Sequence, residues 1–196
     1  MMSRYLFILV FFVFGMTSLA AQVAVDPAIQ VRFDSFIHYS NLGQWDKAFN
    51  LVYPKLFSQV PKAEIVQMMH EMGQGLDIKM ENTKITDASA PVKEGTETFV
   101  RISYTSTLVM KIDKGGNYDA PKPIQAIGEQ LKSTYGGRSV QWDADQKQYN
   151  ILATKNMMAV KSDGGEWYLV EINMEQPTLM ESLFPENIME QLVRTE

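Results

Sequence analysis

The polar and apolar positions change period near the middle of the chain. Ile29, Phe33, Phe36, Ile37 and Ser40 follow helical spacing, behind an Asp26-Pro27 start signal and ahead of Asn41 and Gly43. Trp45, Ala48, Phe49 and Val52 repeat the spacing, and Pro54 ends that segment. A third helix is predicted from Pro61, with Ile65, Met68, Met69 and Met72 as its core-facing stripe and Gly73 and Gly75 as its stop. After Gly75 the period becomes two. Leu76, Ile78 and Met80 alternate with Asp77, Lys79 and Glu81, as in a half-buried strand. Asp87 to Gly95 reads as a loop around Pro91.

A long alternating run spans Thr96 to Asp113. Val100, Ile102, Tyr104, Leu108, Met110 and Ile112 share one face, and Arg101, Ser103, Thr105, Thr107 and Lys111 the other. At about 3.3 Å per residue, a straight strand of that length would exceed ~50 Å, so the sheet is predicted to bend strongly. Pro121 to Pro123 open a fourth helix with Ile124, Ile127, Leu131 and Tyr135 inward, stopped by Gly136-Gly137. Val140 and Trp142 mark a short strand. Tyr149, Ile151 and Ala153 begin another that Met158 and Val160 continue or follow. Ser162-Asp163-Gly164-Gly165 is a hairpin turn, and Trp167 to Ile172 alternate beyond it. Two short helical pieces close the chain, Leu179 to Leu183 and Pro185 to Arg194. The predicted class is α+β: N-terminal helices packed on a strongly curved antiparallel sheet, with a C-terminal helix.

The N-terminus changes where this domain is expected to work. Arg4 precedes an unbroken apolar run, Tyr5 to Phe14, and Ser18-Leu19-Ala20 offers small residues for a signal peptidase. Residues 1–20 are expected to be a secretory signal peptide cleaved after Ala20, or alternatively after Ala21. Removing 20 of the 196 residues leaves 176, one domain with room for a real core. There is no cysteine, which excludes both a lipid-modified signal and a disulfide and points to a bacterial source. The expected location is secreted or periplasmic, with no transmembrane segment after cleavage.

Charge removes further classes. The formal net charge is −5, and the loss of Arg4 makes it one unit more negative. No Lys/Arg stripe exists, so nucleic acid is not an expected partner.

The hairpin Met158 to Val170, with Trp167 just after an Asp-Gly turn, resembles the last strands of the nuclear-transport-factor-two-like superfamily. Gly43 to Phe49 followed by Pro54-Lys55-Leu56-Phe57 resembles the early helices of its small exported bacterial members. The resemblance covers residues 26–113 and 147–173. It implies a cone-like domain over 21–196, in which a bent sheet wraps a long helix and leaves a cavity. Two segments depart from the family pattern: a helix-strand insertion at about 118–143 and a helical extension at about 177–194. The family includes isomerases, dehydratases, polyketide cyclases and binding modules, so fold alone does not assign an activity.

Candidate chemistry is sparse. His38 and Asp34 fall about 180° and 140° from Ile29 on the first helix, and His70 about 140° from Ile65, so all three are expected to face solvent. Met68-Met69-His70-Glu71-Met72 has the soft donors of a copper(I) site, but its methionines fall on the predicted core stripe. Asp143-Ala144-Asp145 begins like a calcium loop and lacks the rest. No cofactor or metal is expected. The pocket candidates are Tyr104 and Ser106, polar interruptions on the apolar strand face, with Ile102 and Leu108 beside them and Tyr39 at the border.

The reading these features support first is a non-catalytic binding module with a mostly apolar cavity for a small apolar ligand or another exported protein. A small isomerase, dehydratase or cyclase is the alternative, and would need an inward carboxylate or histidine. A third is a homodimer formed through the face that carries Arg101, Ser103, Thr105 and Thr107.

Overall fold

The structure is a computed structural model that describes residues 24–113, 115–116 and 118–194. The expected signal peptide therefore lies outside the described residues. The elements run α1 (Pro27–Asn41), α2 (Trp45–Phe49), a 3-10 turn (Pro54–Ser58), α3 (Lys62–Met72), β1 (Leu76–Ala88), β2 (Val92–Glu94), β3 (Glu97–Ile112), α4 (Pro121–Tyr135), β4 (Val140–Asp143), β5 (Gln148–Ser162), β6 (Trp167–Glu171), α5 (Pro177–Leu183) and α6 (Glu186–Ile188), with a π-helical turn at Met189–Val193. The class is α+β, with helices on a curved, unclosed antiparallel sheet of six strands.

The long hairpin of β3 and β5 is the spine. It pairs without a register shift from Glu97↔Ser162 to Lys111↔Gln148. β1 lies along the outer side of β3, with β2 beyond its end. β4 and β6 pair with different stretches of β5's far side, 148–151 and 157–161. Curvature enters through β1, which carries bulges between Glu81 and Lys84 and between Ile85 and Asp87, with Asn82 at φ 51°.

One face of the spine takes two helices at its two ends. α1 lays Ile29 and Phe33 on Val100, Ile102, Tyr104, Met157, Ala159 and Leu169. α4 lays Leu131 on Ile112, Tyr149 and Ile151 at the other end. The opposite face is covered near the hairpin tip, where Phe99, Met158 and Val170 meet Met180, Leu183, Ile188 and Met189 of the C-terminal helices. The domain is thus three layers thick there.

α1 begins as its sequence predicts: Asp26 accepts the Ala28 N–H at 2.8 Å, and Pro27 opens the helix. Three segments differ from expectation. α2 stops at Phe49, because Leu51 and Tyr53 instead bond backbone to backbone with Leu169 and so cover the free edge of β6. The predicted loop at Asp87–Gly95 contains β2. The methionine stripe of α3 is no core: the helix has no buried residue, and Met68 is 55% exposed.

Candidate functional site

The register of the spine brings together residues that lie far apart in sequence. Tyr104 sits opposite Lys155, and Met157 opposite Glu171, so Tyr104, Lys155 and Glu171 leave the same sheet face as Ile102. Tyr104 lies under the edge of α1, and Lys155 and Glu171 occupy the stretch between it and the part covered by α4. Tyr135, at the end of α4, closes the group, with the Lys155 Nζ 5.5 Å from its ring centre. The Lys155 ammonium donates to Glu171 Oε1 at 2.5 Å.

Beside this group β5 has an open edge. Leu152 donates its N–H to Ser139 O at 2.9 Å, and Asn156 accepts from Ile172 N–H at 2.9 Å. Strand alternation directs the Thr154 N–H and C=O to the same side, where β4 has ended and β6 has not begun. The resulting notch has a volume of about 480 Å³, with Ser139, Thr154, Lys155, Glu171 and Asn173 in its wall.

Electrostatics keep the group's donors protonated. Burial pushes the Tyr104 phenol well above its ordinary pKa, and the nearby Glu171 carboxylate and Tyr135 add to the shift. Burial works against the Lys155 ammonium, but the hydrogen bond and charge of Glu171 outweigh it and raise the pKa, with further contributions from Tyr135 and Glu175. Tyr104 packs edge-on against Phe33 at 5.1 Å and is 4% exposed. The notch therefore offers the Lys155 ammonium, the Tyr135 phenol and a backbone N–H as donors, and a carboxylate and a backbone carbonyl as acceptors, with Tyr104 buried behind them.

The other pocket candidates are dispersed. Ile102 is fully buried under α1, and Leu108 packs in the α4 cluster. Ser106 is buried at the β1 bulge, where its hydroxyl meets Thr83 Oγ1 at 3.1 Å and donates to Glu81 O at 3.4 Å. Tyr39 faces α2, with the Lys47 Nζ 5.5 Å from its ring centre. Asp34 is exposed and accepts from Gln30, and both histidines are exposed. Among the described residues no cluster of His, Cys, Asp or Glu could hold a metal ion. Nor is any helix among them long and apolar enough to cross a membrane.

Lys155 and Glu171 are the site residues that sequence reasoning missed. Each continues an alternating apolar run, Ala153 to Lys155 and Leu169 to Glu171, so period two alone put them inward. Their pairing needed the register between β3, β5 and β6.

The sequence matches no family model, and no curated protein matches it. Seven chains among solved structures are similar to it. One is described as a polyketide cyclase from Xanthomonas campestris pv. campestris, 12% identical over 80% of this chain and 97% of that chain, at a TM-score of 0.35. Another is described as a dehydratase of the NTF2-like family from Streptomyces avermitilis, 11% identical over 73% of this chain and 89% of that chain, at a TM-score of 0.35. The architecture is the α+β arrangement that the sequence resemblance implied. Likeness at this level transfers no activity.

Proposed function

We propose that the protein is an exported, non-catalytic binding module whose notch between β4 and β6 takes a small, neutral, hydroxyl-rich molecule. The observation that carries this is the Lys155–Glu171 pair set beside Tyr135 and the open backbone edge at Thr154 in the notch wall. The pair neutralises itself, and Glu175 leaves the wall one unit negative, which disfavours an organic anion. What remains is a balanced set of donors and acceptors, which hydroxyl groups match on both counts. A base poised for proton abstraction is not supported, because Glu171 is held by an ammonium that stays charged. The apolar ligand expected from the strand face has no room there, since α1 and α4 fill the apolar stretches.

The test is a titration of the mature protein with mono- and disaccharides, followed by two-dimensional NMR. Shifts centred on Thr154, Lys155 and Asn173, weakened about tenfold by Tyr135→Phe and by Lys155→Met, are expected. Tight binding of a small carboxylate in preference to any sugar would overturn the reading.

One observation favours the enzyme alternative: a protonated phenol and a carboxylate share one face, as donor and base would for a carbonyl substrate. Exchange of α-protons of a simple ketone in heavy water, lost in Glu171→Gln, would establish it in place of binding alone.

A further inference from the structure

A second concavity lies away from the notch, where the end of α1, the face of α3 and the start of β1 meet. Its volume is about 450 Å³, and Leu42, Trp45, Met69, Met72 and Ile78 supply its apolar wall. That size and lining suit a small-molecule site. The wall is adaptable, because α3 buries no residue and its methionine side chains can repack.

Ser40 also lines this cleft, and it is 4% exposed with a hydroxyl that has no partner. A helical serine ordinarily donates to the carbonyl one turn back, as Ser35 does to Val31 O at 2.7 Å. Ser40 does not, and a buried hydroxyl without a bond is costly. We propose that this cleft binds a neutral, chain-like apolar molecule carrying one hydrogen-bond acceptor, a carbonyl or ether oxygen, which takes the Ser40 hydroxyl.

Two alternatives fit less well. An anionic head group would need a cation, and the lysine in the wall, Lys79, is paired with Asp77 at 2.9 Å. An extended peptide would need the outer edge of β1. The Asn41 side chain already occupies it, donating to Met80 O at 2.8 Å and accepting from Met80 N–H at 2.7 Å.

Trp45 in the wall provides a fluorescence readout. Titration of the full protein with 2-nonanone should shift the emission with a micromolar Kd, and Trp45→Phe should remove the signal. Ser40→Ala should weaken binding about tenfold, Ser40→Thr should keep it within about twofold, and nonanoate should bind more weakly than the ketone. Met72→Glu, at a partly exposed helix position, should abolish binding without unfolding the protein. Lys155→Met should leave it unchanged, which separates this cleft from the notch. Equal affinity in Ser40→Ala, or no saturation by 2-nonanone up to its solubility limit, would overturn the proposal.

Discussion

Gly128 is the residue whose replacement discriminates best between helix propensity and packing. It lies inside α4 and is buried against the sheet. On an isolated helix, Gly→Ala gains about 1 kcal/mol. Here an added Cβ would stand 2.5 Å from the Tyr149 hydroxyl oxygen and 3.1 and 3.2 Å from two of its ring carbons. Tyr149 cannot simply retreat. It is 4% exposed, its ring lies 4.6 Å from that of Trp142, and its hydroxyl donates to Ile124 O at 2.6 Å. Moving it sacrifices that bond, about 1 kcal/mol net, and strains the packing by ~1–3 kcal/mol. After the propensity gain, Gly128→Ala should lose about 1–3 kcal/mol.

In a Tyr149→Phe background the worst contact is gone, and only the two ring-carbon contacts remain to be relaxed by a few tenths of an ångström. There the same substitution should be neutral or stabilising by up to ~1 kcal/mol. Urea midpoints for the four proteins measure the coupling, expected at about 1–4 kcal/mol. A stabilising Gly128→Ala in the parent, or an equal effect in both backgrounds, would show that α4 does not rest on Tyr149 as described.

Three further outcomes follow from the same structure. Asp26→Ala removes both the α1 cap and the acceptor of the Trp167 indole N–H at 3.2 Å, and should lower the urea-derived stability by about 1–2 kcal/mol, with Asp26→Asn close to the parent. Asn41→Ala frees the Met80 backbone at the sheet edge; it should destabilise by about 1–3 kcal/mol and produce concentration-dependent association in light scattering. Tyr53 and Tyr104 have pKa values raised by burial, so the folded state holds their protons longer than the unfolded chain does. Stability is therefore undiminished below the usual tyrosine pKa of about 10 and falls as pH rises beyond it. Denaturation series from pH 8 to 11 should show that decline, and Tyr104→Phe should flatten it.

The helices and strands were largely legible because their periods are local properties. Asp26-Pro27, Gly136 and the Asp163-Gly164 turn each mark a boundary with chemistry that acts within a few residues. Two misreadings share a cause. Val52 fits the α2 stripe, yet its segment is drawn out to pair with Leu169, a partner more than a hundred residues away. The α3 methionines have core spacing, yet no layer covers them, and spacing cannot say whether a facing surface exists. The same limit applied to the notch. Tyr104 stood out as a polar residue on an apolar face, whereas Lys155 and Glu171, inward by period, had no visible partner until the β3–β5–β6 register set them side by side.

The cover on the outer sheet face also bears on how the chain is made. Phe99, Met158 and Val170 are synthesised before residues 177–193, which shield them. Through that interval a growing chain can form the hairpin spine but must leave one greasy side of it bare. Assembly is therefore completed from the C-terminal end backwards, and a chain cut short after β6 should be a client for a holding chaperone or a seed for aggregates. If the chain is threaded across a membrane, this ordering helps: a domain that cannot close until its last helices arrive stays unfolded enough to pass.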